Sequence, residues 1–128
     1  MEWFKFGKPS ALGAVTGMVA GLGTITPASG FVGPGGALVI GIMAGLVCFN
    51  ATIFLKQKLG VDDSLDVFPV HGVGGALGTV LVAVFASGTL GVFSGQGDGL
   101  EIYDQLSVQV LGVIATGSYT AVLTFILL

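Results

Sequence analysis

The chain has 128 residues and a net charge of −3, which bounds it to one domain. Hydrophobic residues make up 53% and charged residues only 9%, against about a quarter in a soluble domain. With a mean hydropathy of +0.99 this excludes an ordinary soluble globule, and the lack of any basic cluster excludes a nucleic-acid partner.

Four apolar stretches are predicted as helices, over about residues 10–25, 35–57, 64–86 and 104–128. A bilayer core needs about 20 helical residues, and unbroken apolarity does not fit half-solvated strands, which alternate with period two. The predicted fold class is therefore an all-α membrane protein with four transmembrane helices. Residues 1–7 carry Glu2 and aromatics and do not read as a cleavable signal peptide.

The first stretch follows Lys5 and Lys8 and stops at Thr26-Pro27, where a connector rich in Pro and Gly punctuates the chain. The second contains Cys48, the single cysteine, which reads as a small buried apolar residue with no redox or metal role. It ends at Lys56-Gln57-Lys58, and Gly60 fits a helix C-cap. Asp62, Asp63 and Ser64 suit the next N-terminus, where a carboxylate or hydroxyl accepts orphan backbone N–H groups. Residues 94–99 read as a flexible loop before the last stretch.

Twenty-three glycines lie mostly inside the apolar runs. Gly13-xxx-Gly17-xxx-Gly21, Gly41-xxx-Gly45 and Gly74-xxx-Gly78 each place a flat stripe on one helical face, a spacing that lets another backbone approach. No phosphate loop or dinucleotide fingerprint is present, because these glycines lack a strand-turn-helix context. All four cationic residues are lysines, and four spans place Lys5, Lys8, Lys56 and Lys58 on one side. By the positive-inside rule both termini and the loop after the second span are cytoplasmic.

His71 is the only histidine, set inside the apolar third stretch. An ionisable group at membrane depth is costly and marks a candidate conduction or proton-handling site. A neutral imidazole donates from one nitrogen and accepts at the other, so it can pass a proton or bind a small polar solute. On an α-helix it shares a face with Val67, Gly74, Gly75 and Gly78, a combination suited to a narrow apolar lumen. A histidine that merely packs between helices fits the same spacing. No nucleophile–base constellation is present, so an enzyme is not expected, and neither is a cofactor or a metal.

The run Asp62-Asp63-Ser64-Leu65-Asp66-Val67-Phe68-Pro69-Val70-His71-Gly72-Val73-Gly74-Gly75 resembles the signature of the ammonium transporter family, related to the Rhesus glycoproteins. Further similarity lies in Gly7-Lys8-Pro9-Ser10, Thr24-Ile25-Thr26-Pro27-Ala28-Ser29-Gly30-Phe31-Val32, Gly36-Ala37-Leu38-Val39-Ile40-Gly41 and Leu55-Lys56-Gln57-Lys58-Leu59-Gly60-Val61-Asp62-Asp63. The resemblance implies part of an eleven-helix inverted-repeat transporter fold, with these four spans matching the eighth to eleventh helices.

It also implies transport of ammonium or ammonia in a plasma-membrane homotrimer. His71 matches the second of two hydrogen-bonded pore histidines, and Val67 matches the pore wall one turn before it. Asp63, Asp66, Gly74 and Gly75 then support the pore, with Asp63 expected to cap a helix. The first histidine, the outer recruitment site, the phenylalanine gate and the tail that meets a PII-type regulator are absent from this sequence. The chain is thus expected to be a fragment, a truncated gene or half of a split protein. An ammonium sensor, or a non-functional fragment when alone, stand as alternative readings.

Overall fold

The computed structural model describes residues 7, 8, 10–86 and 101–128. Lys5, Pro9 and the 94–99 connector lie outside the described residues. Among those described, the regular structure is helical throughout and no strand occurs. Four helical segments, Ala11–Ala28, Pro34–Leu59, Phe68–Phe85 and Ile102–Leu127, are long and apolar enough to cross a membrane.

Helix α1 (Ala11–Ile25) starts at Ser10, whose hydroxyl accepts the Gly13 N–H at 2.9 Å. It tightens into a 3-10 turn, Thr26–Ala28, that carries Pro27 where a missing N–H costs nothing. Helix α2 (Pro34–Ile53) opens on a proline, which suits a first helical position. It continues through a π-helical turn, Phe54–Leu59, that stops at Gly60 with a φ of 64°. Gly60 costs nothing in that left-handed conformation.

Helix α3 (Gly74–Phe85) is preceded by a second π-helical segment, Phe68–Val73. The third helix was expected from residue 64, but its regular turns begin about Val67 because residues 61–66 form a capping loop. Helix α4 (Ile102–Leu127) begins two residues before its expected start and has no buried residue.

The packing rows repeat every fourth residue. Ala20, Thr24 and Ala28 line α1, Gly36, Ile40, Ala44 and Cys48 line α2, and Gly74, Gly78 and Val82 line α3. Such rows form ridges that seat in the grooves of a neighbouring helix. One cluster gathers Ala28, Ile40, Val82, Phe85 and Ala86, and a second gathers Ala20, Cys48 and Val70. Cys48 is buried in the second cluster.

Gly78 crosses α1 so closely that a Cβ there would collide with the Thr24 carbonyl. At Gly74 a Cβ would stand 2.8 Å from Thr24 Oγ1 and 3.2 Å from Cys48 Sγ. The Gly74-Gly78 stripe is therefore a close-approach site. Among the described residues nothing packs on the α1 and α2 stripes at Gly17, Gly21, Gly41 or Gly45, where a Cβ would meet nothing within 4 Å. In both helices the row that packs is offset from the glycine row.

Three polar side chains within the apolar helices bond back to their own backbone, whereas the buried Thr24 Oγ1 has no hydrogen-bond partner among the described residues. Thr26 Oγ1 donates to the Leu22 carbonyl at 2.7 Å, Asn50 Nδ2 to Leu46 at 2.8 Å and Thr79 Oγ1 to Gly75 at 2.9 Å. In hydrocarbon a polar group left unpaired costs several kcal/mol, about the same as a lost backbone bond.

Candidate functional site: the entrance of the third helix

The turn that carries His71 is built from a short acidic loop. Both oxygens of Asp63 accept backbone N–H groups, Oδ1 from Val67 at 3.0 Å and Oδ2 from Phe68 at 2.8 Å. These are orphan donors of a helix start, and the carboxylate sits where the helix dipole favours negative charge. The Phe68 N–H, then the Val67 N–H, hold the Asp63 carboxyl below the usual carboxylate range, with a smaller contribution from Lys56.

Asp66 follows with a φ of 55°, the one positive value at a non-glycine residue among those described. Its N–H donates to the Asp63 carbonyl at 3.2 Å and its own carbonyl accepts the Val70 N–H at 3.0 Å. The Lys56 ammonium, from the end of α2, stands 2.7 Å from Asp66 Oδ1. That oxygen is shielded from solvent and the ammonium lies out of hydrogen-bond alignment, so the contact is ionic.

The π-helical winding of Phe68–Val73 then divides what an α-helix would keep on one face. Val67 and His71 are exposed, Val67 at 51%, whereas Pro69, Val70, Gly74 and Gly78 are buried. Gly75 is half-buried and has nothing within reach of a Cβ. The expected stripe of Val67, His71, Gly74, Gly75 and Gly78 therefore splits. Each i→i+5 turn holds more residues than an α turn, so it rotates the downstream glycines away from His71 and onto α1 and α2.

The imidazole lies along α1. Its Nδ1 is 3.7 Å from the place a Cβ would occupy on Gly23. Among the described residues no hydrogen bond reaches the ring, so its orientation comes from the backbone beneath it. Phe68 is exposed, its ring 3.2 Å from where a Cβ on Gly72 would be. A cleft of about 570 Å³ runs between the start of α1, the end of α2 and Asp66, with Thr16, Thr52 and Val70 in its wall. His71 is outside that wall.

Three features were not read from the sequence: the Lys56–Asp66 pair, the left-handed Asp66 and the π-helical segment. The pair joins residues on two elements, a relation that hydropathy cannot reveal. Pro69, two residues before the histidine, was the available sign of irregular winding.

The sequence profile described as the Ammonium Transporter Family matches residues 1–128. The chain is similar to the ammonium transporter of Bacillus subtilis (strain 168), 42% identical over 100% of this chain and 32% of that protein. The ammonium transporter of Aquifex aeolicus (strain VF5) is 44% identical over 99% of this chain and 30% of its own length. That of Archaeoglobus fulgidus is 44% identical over 98% of this chain and 31% of its own length. The chain thus spans about a third of the length of the curated relatives it matches. With its four apolar helices it is a multi-pass membrane protein, and it belongs to the Ammonium Transporter Family.

Proposed function

We propose that this chain forms one wall of a pore that moves ammonium nitrogen across a membrane, with His71 and Val67 facing the path. The observation that carries the reading is the exposure of the imidazole, which borders α1 beside Gly23, on a helix whose Gly74 and Gly78 pack against Thr24 and Cys48. An ionisable ring left exposed within a span has no structural work there that an apolar residue could not do.

The chemistry follows from the cost of dehydrating an ion in hydrocarbon. Ammonium gives up its proton at a vestibule and crosses as ammonia, a solute that donates and accepts hydrogen bonds. The imidazole offers both partners, and with a second histidine it relays the released proton. Asp63 serves by fixing the start of the helix, while Gly74 serves by closing the packed side so that His71 is turned outward. Asp66 continues the support through its backbone, and Gly75 through the carbonyl that holds Thr79.

In this reading the four spans are the C-terminal portion of an eleven-helix, inverted-repeat fold. The remaining spans supply the first pore histidine and the other half of the wall. The assembly is a homotrimer in the plasma membrane with cytoplasmic termini, met by a PII-type regulator in relatives that carry the tail. The common location of Ser10, Thr52 and Asp66 around one cleft supports placing Lys8, Lys56 and Lys58 on a single side.

Methylammonium uptake in cells tests this. The chain is expressed with and without a polypeptide supplying the remaining spans of a relative. Uptake is expected only with the partner and is expected to fall in His71→Ala. Uptake by the pair that is indifferent to His71→Ala contradicts the pore role.

A further inference from the structure

We propose that the Lys56–Asp66 ion pair is a positioning device for the His71 imidazole, acting from α2 on the turn that carries the ring. The proposal rests on the reading of His71 as a pore residue and extends it to two residues that do not touch the path.

Asp66 adopts a φ of 55°, a conformation that L residues rarely take. Such a backbone persists only where its surroundings over-determine it. Here three constraints meet on one residue. Its N–H is held by the Asp63 carbonyl at 3.2 Å, its carbonyl holds the Val70 N–H at 3.0 Å, and its carboxylate is held by Lys56 at 2.7 Å. Val70 directly precedes His71. Rotation about Asp66 therefore moves the first turn of the π-helical segment, and the ring moves with it.

No described residue hydrogen-bonds the imidazole to correct such a movement. The two backbone constraints are local to the loop. Val70 packs the turn against Ala20 and Cys48, while the ion pair ties the loop residue Asp66 itself to the end of α2, through side chains 19% exposed at Asp66 and 41% at Lys56. Shielding on the Asp66 side keeps the attraction from being screened as a fully exposed pair would be.

Glycine separates the pair from the backbone strain. It adopts a positive φ freely, so Asp66→Gly relieves the conformation while deleting the charge. If the loop needed only its shape, Asp66→Gly would be harmless. Under the positioning role it behaves like Lys56→Met.

The test measures ammonium-evoked currents, across a pH series, in a full-length family member changed at the matching positions. Lys56→Met, Asp66→Asn and Asp66→Gly are each expected to lower the current by about tenfold or more, as small misplacements of a reacting group do. The double change Lys56→Met with Asp66→Asn is expected to be no worse than the stronger single change, because both remove one interaction. Lys56→Arg, which keeps the charge, is expected to retain most of the current.

A Lys56→Met variant with unaltered current and pH profile overturns the positioning role. His71→Ala, run in parallel, separates the two ideas: if it alone changes the profile, the pore reading stands and the pair does not. If His71→Ala is silent, the pore reading falls and the pair is judged on the ring itself. His71 is the only histidine here, so nitrogen-15 histidine labelling of this chain in bilayers reports one imidazole. Lys56→Met is expected to shift its resonances, and an unshifted spectrum overturns the proposal.

Discussion

The two ends of the third span solve opposite problems with the same kinds of residue. From Gly74 to Phe85 the helix is regular, and Gly74 and Gly78 vanish into contact with Thr24 and, at Gly74, Cys48. From Phe68 to Val73 it is π-helical, and its one imidazole stays exposed while Pro69 and Val70 turn inward. The packed end is held by close approach of backbones. The entrance is held by electrostatics, through Asp63 on two N–H groups and Lys56 on Asp66. Close packing and the exposure of an ionisable side chain thus fall to different halves of one helix.

The contrast is broken most severely at Gly78. Gly78→Ala places a methyl against the Thr24 carbonyl, so one helix must move. A loss of about 3 kcal/mol or more is expected, at the upper end of overpacking costs. Thermal or denaturant unfolding of the chain in detergent micelles measures it. A variant as stable as the parent would mean the α1–α3 crossing is looser than described.

A smaller and more local effect is expected at Asp63. Asp63→Ala leaves the Val67 and Phe68 N–H groups without their acceptors, so amide exchange should accelerate there while Gly78 to Val82 remain protected. Asp63→Asn keeps one acceptor oxygen and should fall between the two. Equal acceleration along the whole helix would contradict separate anchoring of its two ends.

The same carboxylate sets a pH dependence. Its pKa is depressed in the folded chain, first by the Phe68 N–H, then by the Val67 N–H. A group of this kind contributes stability in full above the ordinary carboxylate value of about 3.9, and loses it as pH falls through the lower folded value. Order at Val67 and Phe68 should therefore decline only in that acid window, and Asp63→Asn should abolish the dependence. A carboxyl titration at or above the ordinary value would contradict the capping geometry.

The smallest effect is expected where a stripe is idle. Gly21→Ala and Gly45→Ala meet nothing within 4 Å among the described residues, so stability should stay within about 0.5 kcal/mol or rise slightly through helix propensity. A large loss at either position would show that those faces pack after all.

Much of the fold was legible because hydropathy and length decide membrane helices almost alone. Four stretches became four helices, and Pro27, Pro34 and Gly60 mark turns and ends where their backbone restrictions suit them. The site was legible only in part. His71 stood out as an ionisable residue in an apolar run, but its flank could not be read by α-helical spacing once Phe68–Val73 wound as a π-helix. That winding grouped it with Val67 and separated it from Gly74 and Gly78. The glycine stripes show a second limit. Spacing announces that a face is flat, but not which neighbour comes to it, and among the described residues it is the Gly74-Gly78 stripe that meets one.

The central claim is that the entrance of α3 presents His71 and does not bury it for packing. Measuring His71→Ala twice in a full-length relative, for unfolding and for ammonium-evoked current, tests that claim most directly. The account predicts a current that collapses or loses selectivity while stability changes by no more than about 0.5 kcal/mol. A protein that unfolds readily yet conducts as before would identify the imidazole as packing and contradict the account.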